Sequence, residues 1–247
     1  MGFTDADGRP VEVDDPPPGG SHYAEIGAFQ GEGYRRNAFA QGTAQEAEVL
    51  AGALALPPGA RVLDVGCGNG RHVGALRSMG HRAVGVDLSA AVLDTGSGPL
   101  AAARSQHLPF ADQSFDGVIS VCQGGFGITH AQDDLAVGEW YRVLRTGGRV
   151  ALTAFSLVFA SRYMAEGESI DVSRGLHHHL ADVRGPDGQR RSFPLWTAAY
   201  SVPHLHLMLE QHRFHVIGTA GVENGAYQTD RLPSVSDPEM LIWAKRR

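Results

Sequence analysis

Residues 61–70, Arg-Val-Leu-Asp-Val-Gly-Cys-Gly-Asn-Gly, constrain this chain more than any other stretch. The apolar run Val62, Leu63 and Val65 reads as a buried strand of a parallel sheet. Glycines follow at every second position, Gly66, Gly68 and Gly70. They permit positive φ and leave no Cβ between the backbone and a ligand. Beyond them Val73, Leu76 and Met79 fall at helical spacing, and Gly80 suits a C-cap. A strand, a glycine turn and a helix N-terminus in this order make a site for a polar ligand.

The details narrow the ligand. A dinucleotide fingerprint counted from Gly66 needs glycine at position 71, and Arg71 stands there. Asp64, two residues ahead of the first glycine, is placed to accept from an ammonium group. The next strand, Ala83–Asp87, ends in a second acid that can accept both hydroxyls of a ribose. An amine and a ribose without a pyrophosphate describe S-adenosyl-L-methionine better than a nicotinamide dinucleotide. Residues 61–70 resemble motif I of the class I S-adenosylmethionine-dependent methyltransferases, and Val84-Gly85-Val86-Asp87-Leu88-Ser89 resembles their second motif. A third match is Leu108-Pro-Phe-Ala-Asp-Gln-Ser-Phe-Asp-Gly-Val118, which is similar to the family's Leu-Pro-Phe…Asp-x-Ser-Phe-Asp-x-Val signature.

The resemblance implies an α/β, Rossmann-like fold: a seven-stranded, mostly parallel sheet with helices on both faces. It implies S-adenosyl-L-methionine as cofactor and S-adenosyl-L-homocysteine as product. The cofactor would lie against Asp64, Gly66, Cys67 and Gly68 of the first motif and Asp87 and Leu88 of the second. Arg104, Ser105 and Gln106 ahead of Leu-Pro-Phe, and Cys122 and Gln123 after the fourth strand, would complete its surroundings. Gln123 is expected nearest the methyl donor. In this family N-terminal helices often fold over the cofactor, which makes Tyr34 and Thr43 lid contacts, with plain packing the alternative. One departure stands out. The family has an acid four residues before Leu-Pro-Phe, and here that position is Arg104. An arginine cannot accept from an adenine amino group. It stacks on the ring while the Ser105 N–H bonds it, or it points to solvent and leaves Leu88 and Phe110 as apolar walls.

Along the chain, residues 1–20 are rich in Pro, Gly and acids and read as a mobile arm. The domain proper spans 21–247, with 21–56 as a helical lid. Tyr34–Thr43 reads as a short helix, and Thr43 with Glu46 as the capping box of a second one, Ala44–Leu54. Asp133 and Asp134 cap the helix through Trp140, the strand Val150–Phe155 follows, and Ser201 caps Pro203–His212. Residues 156–200 exceed what the minimal fold needs. Two strand-like runs, His177–Arg184 and Arg190–Tyr200, flank the turn Gly185-Pro-Asp-Gly188 and predict an inserted antiparallel β-hairpin cap over the cleft.

Composition sets outer bounds. The chain has 247 residues, 43% of them hydrophobic, which is enough for one large core. A net charge of −6 with no Lys/Arg run argues against a nucleic-acid partner. No signal-peptide pattern and no long apolar run are visible, so a cytoplasmic protein without membrane contact is expected, as a monomer or homodimer. Cys67 and Cys122 are too few for a zinc or disulfide framework. They read as packed thiols, with redox sensing the alternative.

Methyl transfer from a sulfonium is an in-line displacement in which the protein aligns the acceptor and excludes water. A base is needed only if the acceptor must lose a proton. Tyr34, Trp196, Tyr200 and Tyr227 predict an enclosed pocket for a small organic acceptor, methylated at O or N. The alternatives are a protein of the same fold that binds the cofactor without methylating, and a nicotinamide enzyme. In His177-His178-His179 the strand period puts His177 and His179 on one face. That pair is the candidate catalytic base, with a polar hairpin face as the alternative. No metal is expected, because one strand offers at most two ligands and no further pattern completes the set.

Overall fold

The computed structural model describes residues 3–4, 10–11, 21–30, 42–122, 124–223 and 226–247. Near the start, β1 (Phe3–Thr4) and β2 (Pro10–Val11) pair antiparallel within the stretch read as an arm. Helices α1 (Ser21–Gln30) and α2 (Thr43–Ala53) precede the sheet. The helix read over Tyr34–Thr43 lies outside the described residues, apart from its last two positions.

The sheet grows outward from β3 (Arg61–Val65), buried at four of its five positions as a central parallel strand must be. Helix α3 (Arg71–Ser78) returns the chain to β4 (Arg82–Asp87). Two short 3₁₀ turns, not a full helix, lead on to β5 (Leu100–Ala102). The chain then crosses back: β6 (Phe115–Ser120) pairs parallel with the other edge of β3. Helix α4 (His130–Val143) is followed by β7 (Leu144–Ser156). β7 begins earlier than the predicted Val150. The register against β6 jumps from Phe115↔Leu144 to Gly117↔Arg149, and Gly147, at φ 79°, lies within the jump.

Beyond β7 come α5 (Leu157–Arg162), β8 (Ser169–Asp171), β9 (Leu176–Arg184) and β10 (Arg190–Tyr200). β9 and β10 form the predicted antiparallel hairpin, and β8 adds a third strand to it. Helix α6 (Val202–Gln211), β11 (Phe214–Val222) and β12 (Glu239–Arg246) close the chain. The order β5-β4-β3-β6-β7-β12-β11 is the mostly parallel seven-stranded sheet that the motifs implied, with β12 antiparallel to both neighbours. β10 joins β7 through two parallel pairs only, Ala199↔Phe155 and Tyr200↔Ser156, just past the end of β6.

Strand alternation splits the core into two layers. Leu63 and Val65 face a cluster with Trp140 of α4 and Leu205, Met208 and Leu209 of α6. Val62 faces the other layer with Leu50 of α2 and Val73 and Leu76 of α3. The strand order reverses between β3 and β6, and the crevice beyond their C-terminal ends is where open α/β sheets bind ligands. Trp196, Tyr200 and Tyr227, read from sequence as pocket aromatics, are buried packing residues. Among the described residues, no helix is long and apolar enough to cross a membrane.

Candidate active site

The glycine turn is held by its neighbours. Gly66, Gly68 and Gly70 have φ of 76°, 53° and 77°, the left-handed region open to glycine. The N–H groups of Gly66 and Cys67 both donate to the Val86 carbonyl, at 2.7 and 2.9 Å. Gly66 has no room for a side chain, since a Cβ there would lie 1.8 Å from the Gly124 carbonyl carbon. Asp87, at the end of β4, accepts from Gly68 N–H and Ser89 N–H, both at 2.8 Å. Its carboxylate thus fixes the turn as well as standing where a ribose would be held.

Asp64 is buried, and one of its oxygens, Oδ2, has no hydrogen-bond partner among the described residues. Burial pushes its carboxyl up to about 7, with the Arg71 charge opposing and the Asp87 charge adding. A buried acceptor without a donor is costly unless something supplies one. Beside it a narrow cleft is lined by Val65, Gly66, Leu88, Ala103, Arg104, Ser105, Gln106, Gly124, Gly125 and Ile128. The structure therefore gathers Gly66, Leu88 and residues 104–106 in one place. Arg104 is exposed, whereas Ser105 is buried with an unpartnered Oγ. Gln106 donates to the Gln132 carbonyl at 3.4 Å.

Phe110 is not among the lining residues. It packs edge-on against Phe115 at 4.9 Å, and Ile128, which no motif singled out, takes the role of apolar wall. Arg142 holds the Leu-Pro-Phe loop from α4, donating to the Leu108 and Phe110 carbonyls and to Asp112.

The lid assignments change. Tyr34 and Gln123 lie outside the described residues. Thr43 is not an N-cap: Gly42 precedes α2 in the left-handed region, and no side chain caps the helix. Thr43 accepts from Arg71 at 2.9 Å, and Glu46, fully buried, accepts from Arg71 and, at 2.9 Å, from His72. Burial pushes Glu46 up, but the His72 hydrogen bond and the Arg71 charge outweigh it and leave Glu46 below its ordinary value. Arg71 also donates to the Cys122 sulfur at 3.1 Å.

Cys122 has φ 57°, uncommon for a non-glycine residue, and its N–H donates to Thr153 Oγ1 at 2.8 Å. Burial pushes the Cys122 thiol up to about 12 and the Cys67 thiol up as well. Thiols raised by burial favour packing over redox sensing. The cap of α4 also differs from expectation. It is Thr129, while Asp133 is buried and accepts from the Tyr200 hydroxyl at 2.5 Å.

A second pocket, of about 280 Å³, opens at the end of β7 between α5 and the hairpin. Phe155, Phe159, Tyr163 and Thr197 line it, together with Glu168, His177 and His179. The pairing Thr197↔His177 puts His177 and His179 on this face, and His178 packs against Trp196 on the other. Glu168, unnoticed in the sequence, meets His177 Nε2 at 3.1 Å.

Residues 63–152 match the family model described as a methyltransferase domain. That stretch is similar to a methyltransferase domain, and the fold as a whole is the class I methyltransferase fold. The demethylmenaquinone methyltransferase of Mycobacterium sp. (strain KMS) is 37% identical over 108 residues, 42% of this chain. The match spans 45% of that relative's length. In solved structures the fold is similar to the CcbJ methyltransferase from Streptomyces caelestis, with a TM-score of 0.73 at 15% identity. That alignment covers 90% of this chain and 98% of the other. It is also similar to the Burkholderia thailandensis 1,6-didemethyltoxoflavin-N1-methyltransferase, solved with 1,6-didemethyltoxoflavin and S-adenosylhomocysteine. There the TM-score is 0.59 at 15% identity, with 96% and 92% of the two chains covered. The matched stretch spans β3 to β7 up to residue 152, and the strands of the second pocket, β8 to β10, lie outside it.

Proposed function

We propose that this chain is an S-adenosyl-L-methionine-dependent methyltransferase acting at O or N of a small organic molecule. The observation that carries the reading is the unpartnered Asp64 oxygen beside a glycine turn with no room for a Cβ. The residues present fit the group. Asp64 offers an acceptor to its ammonium, Asp87 keeps acceptor capacity for a ribose, and Leu88, Ala103 and Ile128 offer apolar contact to a base. When bound, the cofactor supplies an electrophilic sulfonium methyl group. Gly66 and Gly70 leave room for Gly124 and Leu100 to close in on the turn, and Asp87 keeps the turn in shape.

The acceptor side is the pocket under the hairpin, which serves as the cap. Phe155, Phe159 and Tyr163 give it apolar walls that exclude water, and His177 and His179 are the groups able to act on an acceptor proton. Helix α1 acts as the lid. Gly27 lies against Val92 and Ser89 behind Asp87, while Phe29 packs on Phe193 of the hairpin at 5.4 Å. The test is calorimetric titration with S-adenosylhomocysteine, followed by transfer of labelled methyl into candidate acceptors. Tight binding with label transfer supports the reading. Binding without transfer would point to a protein of this fold that does not methylate, and nicotinamide binding in place of S-adenosylhomocysteine would overturn both.

A further inference from the structure

The cluster Glu168, His177 and His179 draws on two strands, and neither strand alone makes it. β8 pairs antiparallel with β9 through Ser169↔His178, Ile170↔His177 and Asp171↔Leu176. Extending that register by one residue sets Glu168 opposite His179, and directly opposed residues of an antiparallel pair share a face. His177 is on the same face, two positions away. Each residue offers one ligand atom, and the three atoms lie within 4.8 Å of one another. The imidazoles of His177 and His179 stack with ring centres 5.0 Å apart. Glu168 Oε2 is steadied by the Ala165 N–H at 3.0 Å as well as by His177. His179 Nδ1 is buried with no hydrogen-bond partner among the described residues.

A hydrogen-bonded His–Glu pair would account for His177 but leaves His179 Nδ1 buried and unsatisfied. Two imidazoles and one carboxylate converging beside a cavity form a donor set suited to zinc and similar divalent ions, with a further position open to a water or substrate. We infer that Glu168, His177 and His179 bind one divalent transition-metal ion, of the zinc class, at the wall of the pocket under the hairpin. The open position faces a cavity of about 280 Å³, enough for a small molecule to reach the ion. An ion bound here would occupy the imidazole nitrogens, so His177 and His179 serve as the base only in the metal-free chain; the site itself stands on this geometry, whether or not the chain transfers methyl groups.

The experiment uses the full chain, stripped of metal with a chelator and free of any polyhistidine tag, and without cofactor. Titration with Zn²⁺ by calorimetry should give one site per chain. Co²⁺ should give the visible absorption of a low-coordinate cobalt site. His179→Ala and Glu168→Gln should each weaken binding by more than the roughly 10–100-fold typical of losing an outer partner of a ligand. His178→Ala, on the opposite face of the same strand, should bind like wild type. In the wild-type chain, added Zn²⁺ should also raise the melting temperature, a readout that needs no variant to fold. No Zn²⁺ uptake and no Zn²⁺-dependent rise by the wild-type chain, or equal binding by wild type and both ligand variants, would overturn the proposal.

Discussion

At the glycine turn one side of the cleft is backbone, at Gly66, Gly124 and Gly125, and Asp87 at the end of β4 holds the turn in place. Under the hairpin the polar wall is side chain throughout, from β9 and from the residue just before β8. The first construction has almost no room: a Cβ on Gly66 would meet Gly124, and one on Gly85 would lie 2.7 Å from the Cys67 sulfur. The second is open, and its sheet meets β7 at only two residue pairs. Backbone walls tolerate no change of residue where they touch, so that half is defined by local sequence. A pocket built from side chains on a loosely joined sheet can change its lining without disturbing the fold. This contrast explains why a family-wide match covers β3 to β7 and stops before the hairpin.

The sharpest way to break the comparison is a pair of glycine substitutions. Gly66→Ala places a Cβ at left-handed φ against backbone, and strain with overpacking should cost about 3 kcal/mol or more. Gly188→Ala, at φ 78° with nothing within 4 Å, should cost only about 1 kcal/mol of backbone strain. Denaturant unfolding of both variants checks this, and equal losses would mean that the two regions are equally constrained.

Next in size is Asp87→Ala. Loss of charge-assisted hydrogen bonds should weaken S-adenosylhomocysteine binding by roughly 1.5–3 kcal/mol, about ten- to a hundredfold. Zn²⁺ uptake under the hairpin should not change. Calorimetry for each ligand on the same variant separates the halves, and unchanged S-adenosylhomocysteine affinity would remove Asp87 from the ribose assignment.

The Asp64 carboxyl gives a pH signature. Its raised value, about 7, means that the ligand-free protein holds it protonated below that pH, whereas an ammonium ligand requires the carboxylate. Affinity for S-adenosylhomocysteine should therefore fall by about tenfold per unit as pH drops below about 7, with proton release on binding, and level off above it. Asp64→Asn should flatten that dependence. For stability the sign is the reverse. A raised acid destabilises the ligand-free fold as pH rises from the unfolded value towards 7, so Asp64→Asn should melt higher than wild type at pH 8 in the absence of ligand. A sloping affinity profile in the variant would assign the titration elsewhere.

The smallest effect concerns Arg104. It lines the cleft yet is exposed, so stacking on a base should contribute about 0.5–1 kcal/mol, two- to fivefold in affinity. Arg104→Ala binding S-adenosylhomocysteine like wild type would show the arginine to be solvated.

The sequence alone determined the glycine turn, the acids at the ends of β3 and β4 and the β9–β10 hairpin, while the seven-stranded sheet came from the family resemblance. The first three depend on contiguous residues: strand period, positive-φ glycines and turn signals act within a few positions of one another. It misled wherever a residue of familiar local meaning was claimed by a distant partner. Glu46 looked like a capping-box residue, but it is buried against Arg71 and His72, whose charge and hydrogen bond outweigh a helix cap. Asp133 looked like a helix cap, and the Tyr200 hydroxyl, 67 residues away, takes its carboxylate into the core. The histidine pair shows the same limit: one strand offers only two imidazoles, and Glu168 reaches them from across a strand pairing that no spacing in the chain announces. Only the folded sheet decided that Glu168 stands beside them. Register between non-adjacent strands is fixed by packing and pairing across the whole hairpin, not by the residues that happen to meet.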